Sequence, residues 1–463
     1  MLHFDLLLVG GRVVDPHNGV DEYLDVGIAG GKVRLATGGI DLHTADRIIN
    51  AYGKAVIPGV IDSHMHANRI GYRMMAKVGV ITAVDFSERM DVLCKNIREY
   101  GSGMNVATVT DVRSYGNAKG TELSEKQIDG IVSKSLHHGA LGVKIVGGHH
   151  PFTPDCTRRI IEVANRRKAY VAFHAGTTAT GSNLHGLKEA VELAGQNSLH
   201  IAHVNSYFRG LTNDPIQESL EGLKALTGRS NIVSESYLAV INGTGGKCTK
   251  GVPDSLVTRS CLRLGKYPAS EHGLERAILD GFAKVNVELG GECVLLSGSK
   301  AVRLWQRART DAWVSFLVNV PSSAFLCATR KNQDGKFIVD AISTDGGSFP
   351  RNVTVESGLS LVKFGALTIG EFVEKTSVNP AKMFGMVSKG HLGEGADADV
   401  TVLDLERGKA VMGIAKGEVI MIDGVVVGKD GTVVTTKVGA RSVEVMGMKY
   451  DLVDLEKSRF YQK

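Results

Sequence analysis

A chain of 463 residues exceeds what one hydrophobic core supports, so one domain of roughly 250 to 330 residues plus a smaller companion is expected. An apolar fraction of 43% and a charged fraction of 22%, without low-complexity tracts or blocks of like charge, exclude a disordered chain. The net charge of +5 comes from 54 basic and 49 acidic residues and forms no basic stripe with interleaved aromatics, which excludes nucleic acid as a partner.

In chain order, the opening MLHFDLLLVGGRVVDP has an apolar run broken by Asp5 and lacks the basic start and cleavage site of a secretory signal, so it reads as a strand. Residues 1–57 are all-β in texture: LLLVGGRVVD and VGIAGGKVRLATG each predict a hairpin closed on a two-residue glycine turn. Eight short apolar runs follow: VIPGVIDSH, VITAVDF, NVATVTDV, LGVKIVG, AYVAFHAG, LHIAHVNS, NIVSESYL and VDAISTDG. Each has the continuous hydrophobicity of a strand buried on both faces. Patterns with charged faces, such as TRRIIEVANRRKA and GLKEAVELAG, alternate with them, which predicts a parallel α/β fold, the (β/α)8 TIM barrel, over 58–385.

Between the seventh and eighth runs, residues 240–336 predict an inserted helical segment near the active-site mouth. Its long uncharged stretch, Ala312 to Thr329, is interrupted by Asn319 and Pro321, so it reads as a buried segment and not as a membrane span. The β texture returns in DADVTVLDL, EVIMIDGVVV and GKDGTVV, so residues 386–440 are expected to join 1–57 in one small β-sandwich. Residues 441–463 read as a polar C-terminal tail or an oligomer contact. The six cysteines (Cys94, Cys156, Cys248, Cys261, Cys293, Cys327) include no CxxC pair, so reduced thiols and a cytoplasmic location are expected.

The chemistry gathers where the apolar runs give out. His64 and His66 end the first run two positions apart, so on a strand both imidazoles point the same way and can grip one ion. His174 closes the fifth run, His203 the sixth and Asp345 the eighth, at the face where barrels of this kind carry their active sites. Taken singly, a hydrogen-bonded histidine or a capping aspartate is the commoner explanation; four strands ending this way is a constellation. Lys144 interrupts the fourth run, and a lysine among apolar residues must be neutralised, paired or chemically changed. It either snorkels from a strand end or is carboxylated, a CO2-derived carbamate replacing a costly buried ammonium with an anion that cations can compensate.

The motifs PGVIDSHMH, the strand-four lysine, FHAG, AHVN and STDGG resemble those of the amidohydrolase superfamily. NPAKMFGM followed by KGHLGEGADADVTVLDL is similar to the stretch by which such enzymes leave the barrel for their β domain, so the likeness covers residues 1 to 430. The pattern resembles the binuclear branch of dihydroorotases, hydantoinases and N-acyl amino acid deacylases. The segment SESYLAVINGTGG is similar to D-aminoacylases, whereas the strand-four lysine is of the hydantoinase type.

That resemblance implies two divalent metals, zinc by default: His64, His66 and Asp345 on the more buried one, His174 and His203 on the other, and carboxylated Lys144 bridging them. A metal-bridging hydroxide would then attack the amide carbon, with Asp345 as the catalytic proton carrier. The implied activity is hydrolysis of a C–N amide bond other than a peptide bond, in a cyclic amide or imide or an N-acyl amino acid. The competing readings are a lactone, ester or phosphotriester hydrolase on the same metals, and a non-catalytic binding or assembly homologue. For substrate recognition the loops offer Arg113, Tyr115, His149, His150, Arg351 and Asn352, with Asn205, Arg209 and Tyr237 behind them; arginine brings a planar pair of donors for a carboxylate or imide oxygen. His137, His138 and His185 fall in helical or connecting segments. The expected partners are a small-molecule substrate and further copies of the chain in a homo-oligomer, with no membrane.

Overall fold

The computed structural model describes residues 3–115 and 120–462. The eight apolar runs form strands β1 (Val60–His66), β2 (Val80–Asp85), β3 (Asn105–Asp111), β4 (Gly142–Val146), β5 (Tyr170–His174), β6 (Leu199–Ile201), β7 (Ile232–Tyr237) and β8 (Ala341–Ser343). Each pairs in parallel with the next, and Gly346–Gly347, just beyond β8, pairs with the end of β1 to close the ring. The strands are buried along almost their whole length because helices cover them outside and side chains fill them inside. Helix starts carry their own signals: Thr153 caps Pro154–Arg166, and Ser124 with Gln127 forms a capping box at Glu125–His137.

The two terminal segments interleave in one nine-stranded sheet, where Ala55–Pro58 pairs antiparallel with Val400–Asp404. The second glycine pair, Gly30–Gly31, does turn the hairpin between Val20–Ala29 and Lys32–Thr37. The first does not. Leu6–Asp15 runs straight through Gly10 and Gly11 as one strand with a register shift between Leu8 and Gly11. Gly10 has φ +68°, and a Cβ there would lie 2.4 Å from the Tyr52 ring, so the glycines serve a bulge under an aromatic cover.

Two further expectations are corrected. The insertion is not simply helical: Asn242–Gly245, Trp313–Phe316, Ala283–Leu289 and Glu292–Leu296 form a four-stranded antiparallel sheet. Helices Leu256–Leu264, Glu271–Leu279 and Gly298–Arg307 pack with this sheet around a separate core that includes Leu262, Leu274, Trp305 and Phe316. Nor is 441–463 a tail. Thr432–Thr436 pairs in parallel with the start of β3 and with Lys449–Val453, and Phe460 stacks on Tyr170 at 4.2 Å between ring centroids. The segment is polar because, of its apolar side chains, Val443, Met448, Val453, Leu455 and Phe460 are buried, while most of the others are partly or fully exposed. All six cysteines are unpaired. Among the described residues no helix is long and apolar enough to cross a membrane.

Candidate active site

The six residues at the strand ends meet at one mouth of the barrel. His64 Nε2 and His66 Nε2 are 3.2 Å apart, and Asp345 Oδ1 lies 3.4 Å from the first and 3.3 Å from the second. Lys144 Nζ, from the adjacent interior of β4, is 2.9 Å from His64 Nε2 and 3.4 Å from His66 Nε2. His203 stacks on His64 with centroids 5.2 Å apart, and His174 packs edge-on against His203 at 4.4 Å. His203 (φ +37°) and Asp345 (φ +46°) both hold left-handed backbone just past their strands, where strain is tolerated because the surroundings fix it.

The imidazoles are aimed from behind. His64 Nδ1 donates to Glu235 Oε1 at 2.7 Å, the backbone N–H of His203 donates to the same oxygen at 2.7 Å, and Ser343 Oγ donates to Oε2 at 2.6 Å. Glu235 sits on β7, wholly buried, and so ties together β1, the end of β6 and β8. His66 Nδ1 meets Ser87 Oγ at 3.1 Å, and His203 Nδ1 meets Ser206 Oγ at 2.8 Å. His174 is held the other way round, through Nε2 to Ser182 Oγ at 2.9 Å, so Nδ1 is its remaining ligand atom.

Burial keeps these rings neutral. Desolvation, reinforced by the Lys144 charge, lowers His66 to about 4 and His64 well below the usual histidine range, and desolvation does the same to His174 and His203. Lys144 is brought down to about 8 by desolvation against the pull of Asp345 and Glu235, which makes its free amine accessible near neutral pH. Burial alone would raise Asp345, but the Arg351 guanidinium, 2.9 Å from Oδ2, and the neighbouring histidines outweigh it and hold the carboxylate far below its ordinary value.

These residues fit a metal. Ser87 Oγ also lies 3.3 Å from Asp85 Oδ1, which can only accept, so Ser87 spends its proton there and must take that of His66 Nδ1. His64 gives its own proton to Glu235. Two imidazole lone pairs and a carboxylate oxygen therefore converge within 3.4 Å on one point; the Lys144 ammonium meets them as the chain stands, and once Lys144 is neutral or carboxylated the cluster calls for another cation. His64, His203 and Asp345 likewise offer ligand atoms that all lie within 4.8 Å of one another. Oxygen and imidazole donors of this kind suit zinc and similar divalent ions.

Beside this cluster opens a cavity of about 340 Å³, the size of a small-molecule site. Of the expected recognition residues, His149, His150, Arg209 and Arg351 line it. Arg351 is almost fully buried, lies over Tyr237 and Phe349, and leaves Nε and NH1 without a hydrogen-bond partner among the described residues. Arg113 and Asn352 do not line it: Arg113 lies over the Phe152 ring and donates to the His150 carbonyl, and Asn352 clasps both backbone groups of Gly347. The side chain of Tyr115 lies outside the described residues. Reading the sequence missed Glu235, Ser87 and Asp111, and the insertion's Lys247, Asp254, Ser255 and Trp313, all but Glu235 on the cavity wall. A glutamate inside the apolar run NIVSESYL carried the same signal as Lys144 in LGVKIVG.

The pattern of the amidohydrolase family matches residues 270–441. The chain is similar to the dihydroorotase of Geobacter metallireducens, 23% identical over 431 residues, covering 86% of this chain and 90% of that one. Its fold is similar to the zinc-bound N-acyl-D-glutamate deacylase of Bordetella bronchiseptica, with a TM-score of 0.70 at 14% identity over 93% of this chain and 99% of that one. It is also similar to a D-hydantoinase, with a TM-score of 0.57 at 17% identity over 93% and 98%.

Proposed function

We propose that the chain is an amidohydrolase that hydrolyses a non-peptide C–N amide bond in a small cyclic amide or imide, or in an N-acyl amino acid, a reading supported by the amidohydrolase family pattern over residues 270–441 and the likeness to dihydroorotases. The observation that carries this reading is the convergence of His64 Nε2, His66 Nε2 and Asp345 Oδ1 on one point at the floor of a small cavity.

His64 and His66 would hold one divalent ion and His174 and His203 a second, with Asp345 as a further ligand and Lys144, once carboxylated, shared between them. Such a pair, zinc by default, supplies Lewis acidity to the scissile carbonyl and a lowered pKa to water. The protein's own part is positional. Glu235, Ser87 and Ser206 fix the rings so that their lone pairs face the site. Arg351 keeps Asp345 ionised and so able to take a proton from attacking water and return it to the departing nitrogen. The unmatched Nε and NH1 of Arg351 supply donors for a substrate carboxylate or imide oxygen. Six free thiols fit a reducing cytoplasm.

The test is elemental analysis of the purified protein together with turnover of dihydroorotate, hydantoins, N-acyl amino acids and lactones. Two metals per chain with amide turnover is the expected result. Near-zero metal after growth in supplemented medium, or turnover confined to lactones, overturns the reading.

A further inference from the structure

The loop after β4 places His149 on the cavity wall, edge-on to His174 with centroids 5.0 Å apart. Its Nδ1 lies 2.9 Å from Ser255 Oγ, and Ser255 belongs to the insertion, where it caps helix Leu256–Leu264. The hydroxyls behind Ser255 fix which atom of this contact is the donor. Thr258 Oγ1 is 2.6 Å from the Gly245 carbonyl oxygen, which can only accept, so Thr258 spends its one proton there. Thr244 Oγ1, 3.0 Å from Thr258 Oγ1, must then donate to it. Ser255 Oγ, 3.1 Å from Thr244 Oγ1, must donate in turn to Thr244, while one of its lone pairs takes the Thr258 N–H at 3.4 Å. Ser255 has no proton left for His149. The imidazole Nδ1–H is therefore the donor, and a neutral ring carries only that one proton.

Nε2 thus bears a lone pair. Among the described residues it has no partner, and the ring lines the cavity next to the candidate metal ligands. We propose that His149 Nε2 is a fixed hydrogen-bond acceptor for a substrate N–H, so that the site selects amides carrying N–H over esters, lactones and N-alkylated amides. This rests on the amide-hydrolase reading above and narrows its substrate class. An ester would bring an oxygen lone pair against the Nε2 lone pair, and an N-methyl group would leave the acceptor desolvated and unmatched. Thr244 and Thr258 are fully buried, so water does not compete for the inner steps of the relay that sets the polarity. The device also makes recognition depend on the insertion being seated, because the residue that orients His149 belongs to that insertion and not to the barrel.

Neutron diffraction from perdeuterated, metal-loaded protein tests the tautomer without any substrate: a deuteron on Nδ1 of His149 and none on Nε2 is expected, and a deuteron on Nε2 overturns the proposal. Kinetics test selectivity with an N-acetyl amino acid and the corresponding O-acetyl hydroxy acid. His149→Phe, and Ser255→Ala, which releases the tautomer, should lower the amide-to-ester ratio of kcat/KM by about 10- to 100-fold. An unchanged ratio in both variants overturns it, as does loss of metal from His149→Phe by elemental analysis, which would make His149 a ligand. If the unaltered protein turns over no amide at all, it is the amide-hydrolase reading that fails, while the neutron map still decides the tautomer.

Discussion

Replacing Glu235 by alanine should loosen the metal site and destabilise the barrel together. The carboxylate accepts three hydrogen bonds in a wholly buried setting: from the ring of His64, the backbone of His203 and the hydroxyl of Ser343. Alanine leaves at least the His64 and His203 donors buried and unmatched, at about 1–3 kcal/mol each, so a loss of about 2–6 kcal/mol is expected before any cavity cost. Glutamine is the informative control. Its oxygen can keep both donors that share Oε1, and its amide can donate to Ser343, whose hydroxyl is free to turn. Only charge assistance is lost, about 1 kcal/mol per bond. Partners that orient metal-bound histidines are worth about 10- to 100-fold in metal affinity, so Glu235→Gln should weaken zinc retention by that order while leaving the fold intact. Chelator competition reads the affinity and denaturant unfolding reads the stability. Wild-type zinc retention in Glu235→Gln, together with an Ala variant within about 0.5 kcal/mol of the parent, would refute the reasoning.

Asp345→Asn should keep its metal by elemental analysis and lose about 10²- to 10⁴-fold in kcat, the range of a positioned proton carrier; substantial turnover would remove Asp345 from that role. Arg351→Met strips the buried partner from Asp345, and breaking such a pair costs about 3–5 kcal/mol. Metal at Asp345 would supply the missing positive charge, so the loss measured by thermal unfolding should be smaller with zinc than after chelation, and equal losses would contradict a metal ligand at 345. Lys375, wholly buried on the carbonyls of Cys327 and Val339, is lowered by desolvation to about 7. Its folded value lies below its unfolded one, so between pH 7 and 10.5 the unfolded chain binds more protons and stability rises with pH. That slope is at most about 1.4 kcal/mol per pH unit, and Lys375→Met should remove it from denaturant unfolding curves; an identical slope in the variant would show that Lys375 titrates normally.

The barrel was legible because its strands are buried on both faces, which leaves an unbroken apolar run that stops where a functional side chain begins. Lys144 showed itself as a charge inside such a run, and Glu235 in IVSESY has the same signature. The same rule would have found it, and would also have pointed to the buried Asp62 and Asp85 in the first two runs. Glycine pairs were less decisive because their meaning depends on what packs over them. Gly10–Gly11 sits under Tyr52 and bulges, Gly30–Gly31 turns a hairpin, and Gly290–Gly291 turns another between Ala283–Leu289 and Glu292–Leu296. The last was hidden because these strands are only half-buried and their polar positions read as helix or loop. Arg113 and Asn352 were drawn in by sequence proximity to strand ends, yet side-chain direction sends one to Phe152 and the other to a backbone turn.

The division between strand ends and insertion also separates two kinds of chemical information. The candidate metal ligands come from β1, β4, β5 and the turns just past β6 and β8, where strand pairing sets most of them beside their neighbours. The half that meets the rest of a substrate is shared with the insertion, which brings Lys247, Asp254, Ser255 and Trp313 to the same cavity. A buried polar knot joins the two: Arg209 donates to Asn319, Tyr237 and Asn242, and Asn319 donates to the carbonyls of Ala239 and Ile241 at the root of the insertion. Removing one partner from such a knot leaves the others buried and unmatched, so it holds the insertion in one place relative to β7. The cavity wall is thereby shared between the strand-end cluster and the insertion, and the knot fixes the two parts of that wall relative to one another.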